Sequence, residues 1–290
     1  EVRSNLAGYT LRQDRITNLT NAGGINTSEL AIKIGNSENL AKGIIEIDDE
    51  LIWVNSFDKA NLTLNAIQGF GRGYGGTTPA PHSQNAMVTL TPTFPRVNVK
   101  KAINDTINSL YPKLFAVNST TFTFNAAQVA YPLPAEARDV LYTSWQTVGP
   151  SKEWLPVNRW RIDRMANPVT WNTGKTISIR EGIIPGRPVM VTYTKKPTTL
   201  TYDTDDFSMS GLPDSAREVI VLGAAYRTAF YLDLGRVPAA TGEADAQQAN
   251  DPVGTAVNIG RAIQALYQQR LLVEVRRLQE QFPPRTHYTS

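Results

Sequence analysis

The Gly-rich segment 69–82, GFGRGYGGTTPAPH, is where residue types and spacing come closest to a chemical site. It contains the pattern G-x-G-x-x-G at Gly71, Gly73 and Gly76, with which dinucleotide-binding folds set a pyrophosphate on the first turn of a helix. That geometry requires a helix to begin directly after the glycines. The residues that follow, TTPAP, cannot begin one. The sequence therefore predicts a long Gly-rich turn and no nucleotide cofactor.

Other candidates for chemistry are sparse. The two histidines, His82 and His287, lie far apart in the sequence, and neither a G-x-S-x-G nor an H-E-x-x-H motif is present. The acidic clusters at 48–50 and 203–206 lack the Gly and terminal Glu of a calcium loop, so we interpret both as solvated turns. We expect no catalytic, cofactor-binding or metal-binding residues. A glycosidase-type pair of carboxylates stays open, because its members converge only in the fold.

The bulk composition narrows the function classes further. The chain has 290 residues, 41% of them apolar, with a net charge of +3 and a pI near 9.0, which is too mildly basic for a dedicated nucleic-acid binder. It contains no cysteine, which excludes disulfides and thiolate chemistry. No apolar run is long enough for a membrane span, and the start, EVRSNLAGYT, does not resemble a signal peptide. We expect a protein without a membrane span that is cytoplasmic when made.

The elements that would position any site are dominated by one long C-terminal helix, predicted over 255–282. Apolar residues recur in it at steps of three and four, which places one stripe along the helix. Such a helix is about 40 Å long, more than a compact domain needs. We predict that this stripe packs subunits together, with its central members at Ile259, Ile263, Leu266, Leu271, Val275 and Leu278.

The rest of the chain alternates strands with helices. Short segments rich in Ile, Val and Thr indicate antiparallel strands, and the acidic turn near Asp48 indicates a hairpin. We predict an α+β fold, a layer of about three helices with an inserted β-hairpin module and a β-sandwich-like module. The expected division is an extended or partner-dependent N-terminal arm (1–29), a β module with the Gly-rich hairpin loop (30–95), a helix (96–113), a sandwich-like insertion (114–205), a helical pair (212–282) and an extended tail (283–290).

The tail that follows the long helix reads FPPRTHYTS. Two prolines end the helix and release an aromatic, basic segment. A disordered end and a peptide that docks on a neighbour both fit this composition. For the docking peptide, the expected contact residues are Phe282, Pro283, Pro284, Arg285 and Tyr288.

The hairpin and its loop resemble a module of tailed-bacteriophage virion proteins. In that module an acidic turn and a strand precede a loop of the form R-G-x-x-G-T-x-A-x-H, as in IEIDDELIWVNS and GFGRGYGGTTPAPH. This chain departs from the pattern at Asn85, where a further Gly is usual. The matching positions in the loop are Arg72, Gly73, Gly76, Thr77, Ala80 and His82.

Together with the helices over 97–110, over 213–234 and at the C-terminus, this hairpin makes the chain resemble head-to-tail adaptor (head-completion) proteins. Those of short-tailed phages are called tail tubular proteins. The resemblance implies a ring of twelve copies beneath the portal, around a channel for double-stranded DNA, with the tail segment docked on the portal and a tail, stopper or terminator protein as the next partner. It implies a structural protein of the virion head–tail junction, assembled in the host cytoplasm, and no enzyme.

Two other functions stay open at this stage. A β-rich protein of the tail tip or baseplate, or a glycan-binding module, would use the tryptophans of the sandwich-like region. A carbohydrate hydrolase would use carboxylates that the sequence does not identify.

Overall fold

The computed structural model describes residues 1–7, 14–36, 40, 42–202, 204–234 and 255–283. Within these residues the chain is mixed α/β, with antiparallel sheets and four helices rather than the expected three. The helices are α1 (Val2–Ala7), α2 (Arg96–Leu110), α3 (Arg217–Leu234) and α4 (Thr255–Gln281). The chain forms two compact units, one from Glu1–Asp105 with Ile220–Tyr267, the other from Thr106–Val219 with Gln268–Ser290.

Unit 1 contains a curled six-stranded sheet. Its strands are β1 (Arg15–Asn18), β2 (Ala31–Lys33), β3 (Gly43–Ile47), β4 (Glu50–Asp58), β5 (Thr63–Ala66) and β6 (Met87–Leu90), in the order β1-β6-β3-β4-β5-β2. The two edges of the sheet meet, because Leu19 and Ile34 form an antiparallel bridge. The Asn21 side chain secures this closure, donating to the Ala31 carbonyl at 2.9 Å and accepting from the Lys33 amide at 2.7 Å. Ile, Leu and Val side chains fill the interior.

The N-terminal residues differ from the expected arm. Val2 and Leu6 of α1 are buried in a second cluster of unit 1 with Val99, Ala224 and Ile263. Residues 15–18 form β1, which pairs with β6. Sequence patterns did not reveal this, because β1 has four residues and its partner strand lies about 70 positions away in the chain.

The hairpin predicted around Asp48 is present. Strands β3 and β4 pair from Gly43↔Val54 to Ile47↔Glu50 and are joined by the two residues Asp48 and Asp49. Asp48 has φ +51°, as a tight two-residue hairpin turn requires.

Unit 2 holds the second β region. Its strands are β7 (Ala116–Thr123), β8 (Ala130–Pro132), β9 (Ala137–Gln146), β10 (Trp154–Val157), β11 (Trp160–Asp163), β12 (Thr176–Ile179) and β13 (Pro188–Lys195). They form a four-stranded sheet, β10-β9-β13-β7, and a three-stranded sheet, β11-β12-β8. One apolar cluster contains residues of both sheets, including Val140, Val191, Trp160 and Ile177.

The long C-terminal helix is also present, over Thr255–Gln281. In unit 1 its Tyr267 ring lies against Tyr226 of α3, with ring centroids 5.3 Å apart. In unit 2 its buried Glu274 accepts a hydrogen bond from the Ser215 hydroxyl at 2.6 Å. No helix in the described part of the chain is long and apolar enough to cross a membrane.

Candidate functional site

The Gly-rich loop is organised around one buried carboxylate, that of Glu50. Its side chain is fully buried, although the residue directly follows the β3–β4 turn. The carboxylate accepts two hydrogen bonds from Arg72 (Nε at 2.8 Å and Nη2 at 2.9 Å) in a bidentate pair. It also accepts from the amides of Gly73 at 2.8 Å and Ala80 at 3.0 Å. The interpretation of 48–50 as a solvated turn is therefore wrong for Glu50.

His82 completes the cluster from the far end of the loop. Its Nε2 lies 2.9 Å from Glu50 Oε2, and its Nδ1 lies 2.7 Å from Asp48 Oδ2. A carboxylate only accepts hydrogen bonds, so both ring nitrogens must donate and the imidazole is positively charged. Asp48, Glu50, Arg72 and His82, which we call the charge cluster, then carry two negative and two positive charges. The cluster is neutral as a whole, which limits the cost of burying it.

The pKa values in the charge cluster follow from this geometry. Burial alone would raise the pKa of Glu50, but the hydrogen bonds from Arg72, His82 and the two amides outweigh it and lower the pKa to about 2. Burial would lower the pKa of His82, but the hydrogen bonds to Glu50 and Asp48 raise it above 6.5. Both groups are therefore held in their charged forms.

The remaining loop residues tie the cluster to its surroundings. Arg72 also donates from Nη1 to the carbonyls of Asn26 at 2.6 Å and Glu29 at 2.8 Å. The hydroxyl of Thr77 accepts from the Leu51 amide at 3.1 Å and donates to the Tyr74 carbonyl at 2.9 Å. The segments around residues 26–29, 48–51 and 72–82 are thus joined by side chains.

Two glycines and Asn85 provide the backbone turns of the loop. Gly73 has φ +65° and Gly76 has φ +84°, the left-handed region that side chains disfavour. Asn85, which stands where the phage hairpin usually has Gly, has φ +69°. Asn is the non-Gly residue that tolerates this conformation best, so the departure preserves the turn. As predicted, no helix follows the glycines: Tyr74–Gly76 form a single 3-10 turn and Thr77 is extended.

Every residue predicted for the loop therefore belongs to one structure. Arg72, Gly73 and His82 contact Glu50 directly, Thr77 holds the start of β4, and Gly76 provides a turn. Sequence reasoning missed Glu50 and Asp48. The available signal was that an Arg and a His in a loop near an acidic turn require a negatively charged partner if they are buried.

The chemistry of this cluster is structural. The Glu50 carboxylate already accepts five hydrogen bonds from the protein, so it has little capacity left to act as a base toward a ligand. Within the described residues, no group of three His, Asp or Glu side chains is placed to hold a metal ion.

Most residues of the predicted apolar stripe of α4 are buried or half-buried within the subunit. Ile263, Leu271 and Leu278 are buried, and Ile259 and Val275 are half-buried. Leu266, in contrast, is 51% exposed. Glu274, which the sequence stripe omitted, is 1% exposed and occupies a stripe position between Leu271 and Leu278.

A second set of apolar side chains on α4 faces away from the buried stripe. Leu266, Leu272 and Val273 are 51%, 59% and 43% exposed. At about 100° per residue, Leu266 and Val273 lie within about 20° of each other, and Leu272 lies about 100–120° further round the helix; all three lie outside the arc of about 80° that Ile263, Leu271 and Leu278 occupy. We call these three residues the outer face of α4. An amphipathic helix of a monomer would carry polar residues there.

Of the predicted docking tail, only the first part lies in the described residues. Phe282 is half-buried and Pro283 is exposed. Pro284, Arg285 and Tyr288 lie outside the described residues.

The Gly-rich loop is locked by internal ion pairs, and the long helix carries partly exposed apolar side chains. The chain belongs to the SU10 adaptor protein family, a family of phage head–tail adaptors, whose model matches residues 83–278. No curated protein matches the chain. Family membership gives a structural phage adaptor, and it implies a virion component at the head–tail junction that interacts with portal and tail.

The family match and the hairpin resemblance rest on different residues. The match begins at Ser83, directly after His82. The charge cluster therefore lies outside the matched region, and the adaptor assignment does not depend on it.

Proposed function

We propose that the protein forms a homo-oligomeric ring, of twelve copies, that connects the portal to the tail of a phage and surrounds a passage for double-stranded DNA. Membership of the adaptor family supports the location. A likeness to the tail tubular proteins of short-tailed phages is part of the same proposal. The role is structural, with no catalytic step.

The outer face of α4 is the single observation that carries the ring. Fully burying a Leu or Val side chain contributes about 1.5–3 kcal/mol, so a contact between subunits that covers these three partly exposed residues would gain stability from each of them. A contact between this face and a different surface of the next copy is heterologous, and such contacts generate a closed ring when the rotation between copies closes. In this proposal Ile263, Leu271 and Leu278 stabilise the subunit, whereas Leu266, Leu272 and Val273 stabilise the ring.

The C-terminal tail, from Phe282 through Tyr288, is proposed to dock on the portal. A ring presents one tail per copy, so weak individual contacts would combine through multivalency. Pro283 is exposed, as the start of a segment that leaves the subunit should be.

The test is to image phage particles that carry a small tag on this protein and to image the purified protein bound to portal-bearing heads. We expect a ring at the head–tail junction in both. Density for the tag at the distal end of the tail would reject the adaptor and support a tail-tip protein. A truncation after Gln281 should yield folded protein that no longer attaches to heads, and normal attachment would reject the role of the tail.

The tryptophans do not favour the glycan-binding alternative. Trp160 is 4% exposed and lies in the core of unit 2, and Trp145 and Trp171 are half-buried. Trp154, at 40%, is the most exposed ring of the four in this region. Carbohydrate recognition through stacking needs an accessible aromatic platform, and one partly exposed ring is a poor one.

A further inference from the structure

Strand β7 forms a long free edge of the four-stranded sheet in unit 2. All eight of its residues pair with β13, from Ala116↔Lys195 to Thr123↔Pro188. In the sheet order β10-β9-β13-β7, no strand of the described residues lies on its other side. The backbone groups on that side face away from the sheet.

The hydrogen bonds just after β7 show which residues point outward. The Phe124 amide donates to the Arg187 carbonyl at 2.8 Å, and the Phe124 carbonyl accepts from the Gly186 amide at 2.8 Å. The backbone N–H and C=O groups of Phe124 therefore point toward β13. Because backbone direction alternates along an antiparallel strand, the backbone groups of the even-numbered residues of β7 point the same way. Val117, Ser119, Thr121 and Thr123 then point both their N–H and C=O groups outward. The Ser119 amide is satisfied locally by the Asn118 side chain at 2.9 Å.

The edge lacks the devices that normally prevent strand addition. Proteins protect free edges with charged side chains, proline or very short strands. The sequence of β7, AVNSTTFT, has no charge and no proline. The opposite edge strand, β10, has four residues and contains Pro156, and the edge strands β8 and β11 of the other sheet have three and four residues. Among the described free edges, β7 alone is both long and unprotected.

The core-facing side of the edge is also incompletely covered. Phe122 stacks on the buried Tyr131 ring, with centroids 4.1 Å apart, and packs on the core of unit 2. Phe122 itself is only half-buried. A strand added beside β7 would bring its own side chains over the remaining exposed part of the Phe122 ring.

We propose that the outer edge of β7 accepts an extended segment of a different virion protein, which adds as a fifth strand of this sheet. This inference rests on the proposed function, because its partner is a component of the same particle. The segment would supply backbone hydrogen bonds to Val117, Thr121 and Thr123 and an apolar side chain beside Phe122.

A second copy of this chain fits the edge less well than a different protein does. The other free edges of the described residues have at most four residues, so each could pair with at most half of β7. Two β7 strands could pair with each other, but that contact is two-fold and does not generate a ring of adaptors.

Hydrogen exchange of the amides of residues 116–123 tests the proposal, measured in the free subunit and in connectors isolated from particles. We expect the outward amides of Val117, Thr121 and Thr123 to exchange at least about tenfold more slowly in the connector. A photo-crosslinking residue at Thr121 should give a product with a different virion protein. Exchange at the free-subunit rate, or a product with a second copy alone, would overturn the inference.

Two variants at Thr121 distinguish the loss of the edge hydrogen bond from other effects of a substitution at this position. Thr121→Pro removes the outward N–H and places proline where an edge strand tolerates it, whereas Thr121→Val keeps the donor and the shape. We expect Thr121→Pro to lower incorporation of the partner protein about tenfold and Thr121→Val to leave it unchanged. If Thr121→Pro fails to fold, Thr121→Lys replaces it, because a charge on the edge also opposes strand addition. Equal incorporation by the disrupting variant and Thr121→Val would refute the edge as a docking site.

The two proposals fail in different ways. If the protein is absent from the head–tail junction, the adaptor function and this inference fall together. If the protein forms the junction ring while β7 exchanges freely, only the β7 inference falls.

Discussion

The Nε2 atom of His82 donates to the Glu50 carboxylate across 2.9 Å, although the two residues stand 32 positions apart in the chain. That contact links the end of the Gly-rich loop to the first residue of β4. Asp48 accepts a hydrogen bond from the other ring nitrogen of His82. The His82 ring therefore links the loop to both the β3–β4 turn and the start of β4, and both hydrogen bonds require the ring to be protonated. Several properties of unit 1 should therefore respond to changes at these residues.

Replacing Glu50 should destabilise the protein more than replacing its neighbour Asp48. Glu50→Gln leaves the Arg72 guanidinium buried without its negative partner, and breaking a buried pair in this way costs about 3–5 kcal/mol of unfolding free energy. Asp48→Asn is the matched control, because the Asp48 side chain is 59% exposed and its loss should cost about 1 kcal/mol. Denaturant unfolding of both variants measures the difference. Equal losses would mean that the bidentate pair does not hold the loop.

Lowering the pH should remove the contribution of Glu50 to the free energy of unfolding over a defined pH range. Its pKa is lowered from 4.5 to about 2, so its stabilisation is present above the unfolded value and is lost as the pH falls toward 2. The unfolding free energy of the wild type should therefore decline below pH 4.5, and that of Glu50→Gln should decline less steeply. Parallel curves for the two proteins would contradict the assignment.

Raising the pH should remove the proton of His82 and so weaken the charge cluster. The folded pKa of His82 is raised above 6.5, so its stabilisation is complete below that pH and is lost as the pH rises through the folded value. The stability difference between wild type and His82→Gln should shrink as the pH increases. NMR titration gives the pKa directly, and a His287→Gln variant assigns the signals because the chain has two histidines. A His82 pKa below 6.5 would show that the ring is not held as a cation.

Asn85 should accept glycine but not a β-branched residue. With φ +69° the position suits Gly, so Asn85→Gly should change the unfolding free energy by less than about 0.5 kcal/mol. Asn85→Val should lose about 1–3 kcal/mol through backbone strain. Denaturant midpoints of the two variants test this, and a fully stable valine variant would rule out the left-handed turn.

The outer face of α4 should matter to the ring and not to the subunit. Leu272 is 59% exposed, so Leu272→Glu should change the subunit's stability by at most about 0.5 kcal/mol. It should nevertheless reduce ring formation on portal-bearing heads, because it places a charge in an apolar contact. Gln268→Glu adds the same charge beside this face and serves as the control. Rings that form equally well with both variants would exclude this face from the seam.

Local patterns were sufficient for most of the secondary structure. The turn residues at Asp48, the prolines around the loop and the apolar period of α4 depend on neighbours a few positions away, which is why they could be recognised in the sequence. Strand β1 and helix α1 were missed, since each is short and is stabilised by residues far along the chain. Short elements have weak periodicity, and packing decides whether they form.

By itself, the sequence determined the hairpin, the Gly-rich loop without a helix, the C-terminal helix and the resemblance to phage adaptors. Only the tertiary structure decided what the polar and apolar residues do. Glu50 became the buried centre of the charge cluster because Arg72 and His82 return to it through a loop, and distance in space is not encoded in local spacing. Likewise, Leu266 and Leu271 look alike in the helical pattern, but one is exposed and the other buried, because burial depends on which face of α4 the rest of the fold covers.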